Sequence, residues 1–235
     1  MGILTKLTGS SNGTQSYSFA TSKEERDNFC ATIINSSSPH LGFYLLLIIS
    51  SFIVTLGLIK SNLILLIGGM MIAPLLSPIL AISLGITILN WRVFIRSVLV
   101  FLISALTSLI IAILIGLISP VDLESLEIIA LMRSFDYYTL LIPIAAGAGA
   151  SFTWAKKELN GSLPGVLITV TLLPPLTAMG LALADNNNIL LRESWYIYFL
   201  NVAGIIIGSL IVFLLMGFYK SAKKLISQVE QEETK

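Results

Sequence analysis

Six long apolar runs constrain this chain more than any other feature: roughly 41–59, 63–89, 92–118, 137–155, 163–184 and 195–218, with hardly an ionisable residue inside them. A helix rising 1.5 Å per residue needs about 20 apolar residues to cross a hydrocarbon core of roughly 30 Å, so each run is long enough to span a bilayer. The runs are continuous rather than alternating, which excludes the strands of an outer-membrane barrel. Only 11% of the 235 residues are charged, against about 25% in an ordinary soluble domain, so a water-soluble globule is excluded. A disordered chain is excluded by the wealth of apolar residues. With 14 Lys+Arg against 13 Asp+Glu there is no basic footprint for nucleic acid, and the expected partner is the lipid bilayer. The first run opens at Leu41 behind a polar stretch of both charge signs, unlike a cleavable signal peptide.

The runs are joined by short spacers: Lys60-Ser61-Asn62, Asn90-Trp91, an acidic stretch 119–136, 156–162 and 185–194. Six crossings put both ends of the chain on one side. Lys6, Lys23, Arg26, Arg92, Arg96, Lys156, Lys157, Lys220, Lys223, Lys224 and Lys235 then share that side, leaving Lys60, Arg133 and Arg192 opposite. Basic residues concentrate on the cytoplasmic face of membrane proteins, so both termini are expected in the cytoplasm and the protein in the cell inner membrane. Residues 1–40 form a polar segment with a possible interfacial helix, since Ser22 and Glu25 have capping-box spacing and Phe29 and Ile33 lie one turn apart. A loosely ordered tail is the competing reading. Residues 219–235 read as a cytoplasmic tail, and Val121 to Arg133 as an amphipathic helix on the outer surface.

The second run reads Gly68-Gly69-Met70-Met71-Ile72-Ala73-Pro74-Leu75-Leu76-Ser77-Pro78 through its middle. Each proline removes one intrahelical hydrogen bond and crowds the carbonyl four residues earlier, so a straight helix would leave carbonyls unpaired in hydrocarbon. The fifth run repeats the arrangement with Thr169, Thr171, Leu172-Leu173-Pro174-Pro175 and Thr177. Pro78 and Pro175 stand 97 residues apart, and the same offset matches Gly68 with Gly165 and Ala81 with Ala178. A three-helix unit used twice, 41–118 and 137–218, follows, and an odd number of spans per unit makes the copies run oppositely. Paired interruptions in inverted halves point to a permeation or binding site near the midplane. The plainer alternative is a pair of kinked helices whose prolines only shape packing.

Along the chain, Ser38-Pro39, Thr55-Leu56-Gly57-Leu58, Asn62, Ile67 to Leu75, Pro78-Ile79, Arg96-Ser97, Arg133, Ala145 to Ala150, Leu163-Pro164-Gly165-Val166, Leu173 to Leu176 and Asn201 form a long ordered string. This string resembles the bacterial and archaeal hydrophobic membrane proteins catalogued as domain of unknown function 389, over about 39–218. The resemblance implies a polytopic helical membrane fold and leaves the activity open. Two departures stand out: Gly68-Gly69-Met70 where the family has Gly-Ala-Met, and a displaced or replaced acidic residue near Asp136 to Thr139.

Inside the runs, no carboxylate relay of the kind proton pumps use is visible. Any ligand would meet Ser77, Ser83, Ser104, Thr107, Ser108, Thr169, Thr171, Thr177, Asn201 or backbone freed at Pro74, Pro78, Pro174 and Pro175. Asn201 is costly against lipid, so it either binds ligand or pins helices together. Arg92 and Arg96 share a helix face and read first as snorkelling to headgroups. The small run Ala145 to Ala150 permits close helix approach. One cysteine, Cys30, and one histidine, His40, leave no metal cluster, and no catalytic or cofactor fingerprint appears. No cofactor, no metal and no enzymatic role are expected.

The expected architecture is therefore all-α, a polytopic helical membrane protein of six spans in two inverted three-helix repeats with proline-broken second and fifth helices. The expected function is a transporter or channel for a small solute or ion. Its pathway is expected at Gly68, Gly69, Ala73, Pro74, Ser77, Pro78, Thr169, Thr171, Pro174, Pro175, Thr177 and Asn201. Six helices leave little protein around a polar path, so a homo-oligomer is expected, with a trimer as one candidate and the oligomer number left open. A scaffold or sensor that recruits a cytoplasmic partner is the alternative.

Overall fold

The longest helices carry their polarity inside out. In the computed structural model, a helix over Trp91–Ile118 exposes Ile95, Leu99, Leu102, Leu106, Ile110, Leu114 and Leu117, while Ser97, Ser104 and Ser108 are buried. The helix Leu41–Ile59 does the same, exposing Leu45, Ile48, Ile49 and Phe52 and burying Ser50, Ser51 and Thr55. Water would reverse this arrangement, whereas hydrocarbon accepts the apolar stripe and drives hydroxyls to the interior. The protein is thus a multi-pass helical membrane protein, with several helices that could span a bilayer.

The structure describes residues 23–36, 40–119, 137–155 and 164–220, and gives backbone alone at 23–25, 27, 34–36, 137–139, 164–171 and 220. All described elements are helices: α1 (Lys23–Ser36), α2 (Leu41–Ile59), α3 (Leu63–Ile72), α4 (Leu76–Thr87), α5 (Trp91–Ile118), α6 (Tyr137–Ala155), α7 (Pro164–Ala184) and α8 (Asn188–Leu215), closed by a 3₁₀ turn at Phe218–Lys220. By length and apolarity α2, α5 and α8 each suffice to cross a membrane, and α3 with α4, bent by 52° at their break, together have the length and apolarity of one more, either a broken span or a re-entrant loop. Shorter apolar stretches lie at Leu140–Ala155 and Leu172–Ala184. The amphipathic helix expected near 121–133, the acidic positions near 136–139, the 156–162 loop, the tail beyond Lys220 and the Ser22/Glu25 capping box lie outside the described residues or side chains.

Three helical hairpins share one turn. At the end of α2 the amide of Asn62 reaches the Gly57 carbonyl at 2.9 Å and that of Ser61 the Leu58 carbonyl at 3.0 Å. This is the Schellman pattern, and Ser61 sits in the left-handed region at φ 45°. Asn62 then caps α3, accepting from the Ile64 and Leu65 amides. The α4–α5 turn repeats this with Gly85, Leu89 (φ 53°) and Asn90, and the α7–α8 turn with Ala182, Asn186 (φ 55°) and Asn187. Gly57 and Gly85 are needed here, because a Cβ at either would stand 2.8 Å from a backbone nitrogen of the returning helix.

Leucine is a costly occupant of the left-handed region, by about 1 kcal/mol. Leu89 is also 91% exposed, so its side chain does little packing. Leu89→Gly is therefore expected to raise stability by roughly 0.5–1 kcal/mol, read as an upward shift of the thermal or detergent unfolding midpoint. A loss of that size would contradict the turn geometry.

The helices pack so that α3 lies against α2 and α7, α4 against α5 and α8, and α5 against α7. The small run expected to permit close approach does so at Gly147, where a Cβ would collide with the backbone of Ile205 on α8. Gly204 and Gly208 in turn accommodate Pro143 and Ile144 of α6. α1 packs onto α4 and α6 and buries Phe29, Cys30 and Ile33, with Phe29 edge-on to Phe218 at 5.0 Å.

Candidate functional site

The expected double interruption occurs once. α3 ends at Ile72, Ala73 is extended (φ −66°, ψ 126°), and α4 begins at Leu76. The cause is Pro74, whose ring disfavours helical geometry in the preceding residue. The Gly68-Gly69 pair just upstream further weakens the helix. Pro78 lies in the first turn of α4, where its missing N–H costs nothing. Between them the Ser77 hydroxyl donates to the Pro74 carbonyl at 3.2 Å, satisfying one group that the break exposes.

The second proline-bearing run corrects the expectation of a broken helix. α7 runs as one helix through both Pro174 and Pro175. Adjacent prolines each hold φ near the helical value, so the pair sacrifices ladder bonds without forcing an extended residue. Thr177 ties the turn together, donating to the carbonyls of Leu173 at 3.0 Å and Pro174 at 3.2 Å.

The remaining candidates fall into three groups. Gly69, Ala73, Ser77, Pro78, Pro174, Pro175, Thr177 and Asn201 are buried, and Pro74 is half-buried. Gly69 packs on Val54 and Ile53 of α2, and its carbonyl accepts from the Ser50 hydroxyl at 2.6 Å, anchoring α3. Gly68 lies on the outer face of α3 with open space where a side chain would be. Thr169 and Thr171 belong to α7, with side chains outside those described.

What joins the two proline segments is apolar. Ala73, Leu75 and Leu173 belong to one buried cluster, and Leu76, Leu172 and Tyr198 to another. Leu75, Leu172 and Leu173 have no exposure and Leu76 only 6%, so these leucines fill the centre. A groove of about 490 Å³ lies elsewhere, between Tyr44 and the flank of α5 that carries Arg92, Arg96 and Leu99, and none of the pathway candidates lines it.

The sequence reading missed an aromatic pair. Phe101 of α5 and Tyr198 of α8 stack at 6.3 Å with an interplanar angle of 2°. The signal was available, since the two positions are 97 residues apart, the offset that relates Pro78 to Pro175.

With this geometry in hand, comparison with known proteins decides the family. The family model described as domain of unknown function 389 matches residues 70–207, more than half of the chain. The chain belongs to this family. The match takes in α4, α5, α6 and α7 whole, together with the proline break and most of α8. The chain is also similar to the uncharacterized protein MJ0678 of Methanocaldococcus jannaschii, 27% identical over 195 residues, which cover 83% of this chain and 59% of that one. It therefore spans about three-fifths of that relative's length. No solved structure matches it.

Proposed function

We propose that this family member is a transporter or channel that moves a small solute or ion along a path between the α3–α4 break and α7. The observation that carries this reading is the 52° bend in an otherwise apolar span, with a serine and two prolines at the bend. Backbone interrupted at membrane depth is tolerated where protein or a water-filled path satisfies it.

Six spans in two inverted halves are part of the same proposal. α5 and α8 begin 97 residues apart and end 97 residues apart, as do the ends of α4 and α7 and their shared turn. The cross-packing is reciprocal, with α5 on α7 and α8 on α4, as a twofold relation between halves requires. Both ends are then cytoplasmic in an inner membrane, by the distribution of basic residues. A homo-oligomer, with a trimer as one candidate, would add protein around the path.

One observation favours the alternative of a non-transporting scaffold or sensor, namely the leucine-filled centre. Apolar constrictions also close channels by excluding water, so the filling is equally the closed state of a conduit. Reconstitution separates the two. Vesicles bearing the protein are expected to pass at least one of a panel of small ions and uncharged polar solutes faster than protein-free vesicles, by stopped-flow light scattering. Equal rates across the whole panel would favour the scaffold.

A further inference from the structure

Residues related by a twofold axis touch each other only beside that axis. Phe101 and Tyr198 hold equivalent places in α5 and α8, each the eleventh residue of its helix, and their rings stack almost parallel. The hairpin register sets their level. Gly85 abuts Phe94 across the α4–α5 turn, so two helical turns further from the turn Pro78 comes level with Phe101. The α7–α8 turn is built alike, which sets Pro175 level with Tyr198. The pair therefore lies at the level of the prolines, on the seam between halves.

The two positions differ in one atom, the Tyr198 hydroxyl. Tyr198 is 5% exposed and its hydroxyl has no hydrogen-bond partner among the described residues. Burying a phenolic O–H unpaired is costly, and such groups in native proteins call for an explanation. Polar company is close at hand: Asn201, one turn along α8, and Ser104, its equivalent on α5, are both buried. Charge is not, because 41–59, 61–91, 97–118, 137–155, 160–184 and 194–219 contain no Asp, Glu, Lys, Arg or His. An ion at this level would lie in a low-dielectric region with no counter-charge, whereas a hydroxyl that both donates and accepts suits a neutral guest.

We propose that the Tyr198 hydroxyl binds a small uncharged hydrogen-bonding solute on the axis between the two halves. The proposal rests on the conduit reading above and names its substrate class and a residue that touches the substrate. Urea and glycerol serve as uncharged probes, with sodium and acetate as charged ones, in vesicles carrying the wild-type chain, Tyr198→Phe, or Tyr198→Phe with Phe101→Tyr.

The wild type is expected to pass urea or glycerol but neither ion. Tyr198→Phe, which removes one oxygen from an intact ring pair, is expected to slow that passage about tenfold, the loss that one hydrogen bond to a bound solute carries. The double variant returns a hydroxyl to the axis from the other half and is expected to restore it. Passage of ions alone, or uncharged passage untouched by Tyr198→Phe while its unfolding temperature rises, overturns this proposal and leaves the conduit standing. No passage of any probe overturns both.

Discussion

Gly147→Leu is expected to destabilise the protein severely, while Gly149→Leu, two residues along the same helix, leaves its stability unchanged. The two glycines look alike in the sequence. At Gly147 any side chain would enter the backbone of Ile205, and the Gly147 carbonyl accepts from the hydroxyls of Ser151 at 2.8 Å and Ser209 at 3.3 Å. Pushing α8 away thus costs a hydrogen bond between helices as well as contact along the most extensive helix pair in the molecule. Overpacking typically costs about 1–3 kcal/mol and a leucine against backbone belongs at or above that range, a large share of a total near 5–15 kcal/mol. At Gly149 there is open space, so the change is expected to stay within about 0.5 kcal/mol. Thermal unfolding in detergent reads both. Equal effects would mean that α6 and α8 are not packed through Gly147.

The second large effect concerns the break. Pro74→Ala with Pro78→Ala removes both constraints on α3–α4 and lets the segment continue as one helix. It cannot straighten freely, because α3 is held to α2 through the Ser50–Gly69 bond while α4 is packed on α5 and α8. One half must leave its partners if the 52° bend is lost. Solute passage is expected to change at least about tenfold, equivalent to roughly 1.4 kcal/mol at the barrier. Pro174→Ala, inside the continuous α7, is expected to change passage less. Equal changes would mean that the break has no special part in the pathway.

Periodicity and length made the helices legible, because a bilayer imposes one requirement on every span. The 97-residue offset was legible from prolines and glycines alone, and helix ends and turns keep it. The turns themselves were hidden. Ser61, Leu89 and Asn186 adopt a conformation usually marked by glycine, so only the Asn62, Asn90 and Asn187 caps signalled a tight hairpin. The continuity of the second proline-bearing run is not legible in the sequence because a proline's effect depends on its predecessor: Ala73 yields to an extended geometry, whereas Leu173 stays helical. The docking of α1 depends on a pocket made by α4, α8 and Phe218, and no local pattern around Phe29 encodes that. Tyr198 was passed over because an aromatic in an apolar run reads as packing until its partner is known.

The claim beneath all of this is that the interrupted segment meets water. In a chain with Cys30→Ala, Ser77→Cys replaces one buried hydroxyl with a thiol of similar size at the bend. Reconstituted protein should react there with a charged, membrane-impermeant thiol reagent far faster than a Leu102→Cys control on the exposed apolar stripe of α5. A Ser77→Cys thiol as inert as the Leu102→Cys thiol would contradict the account.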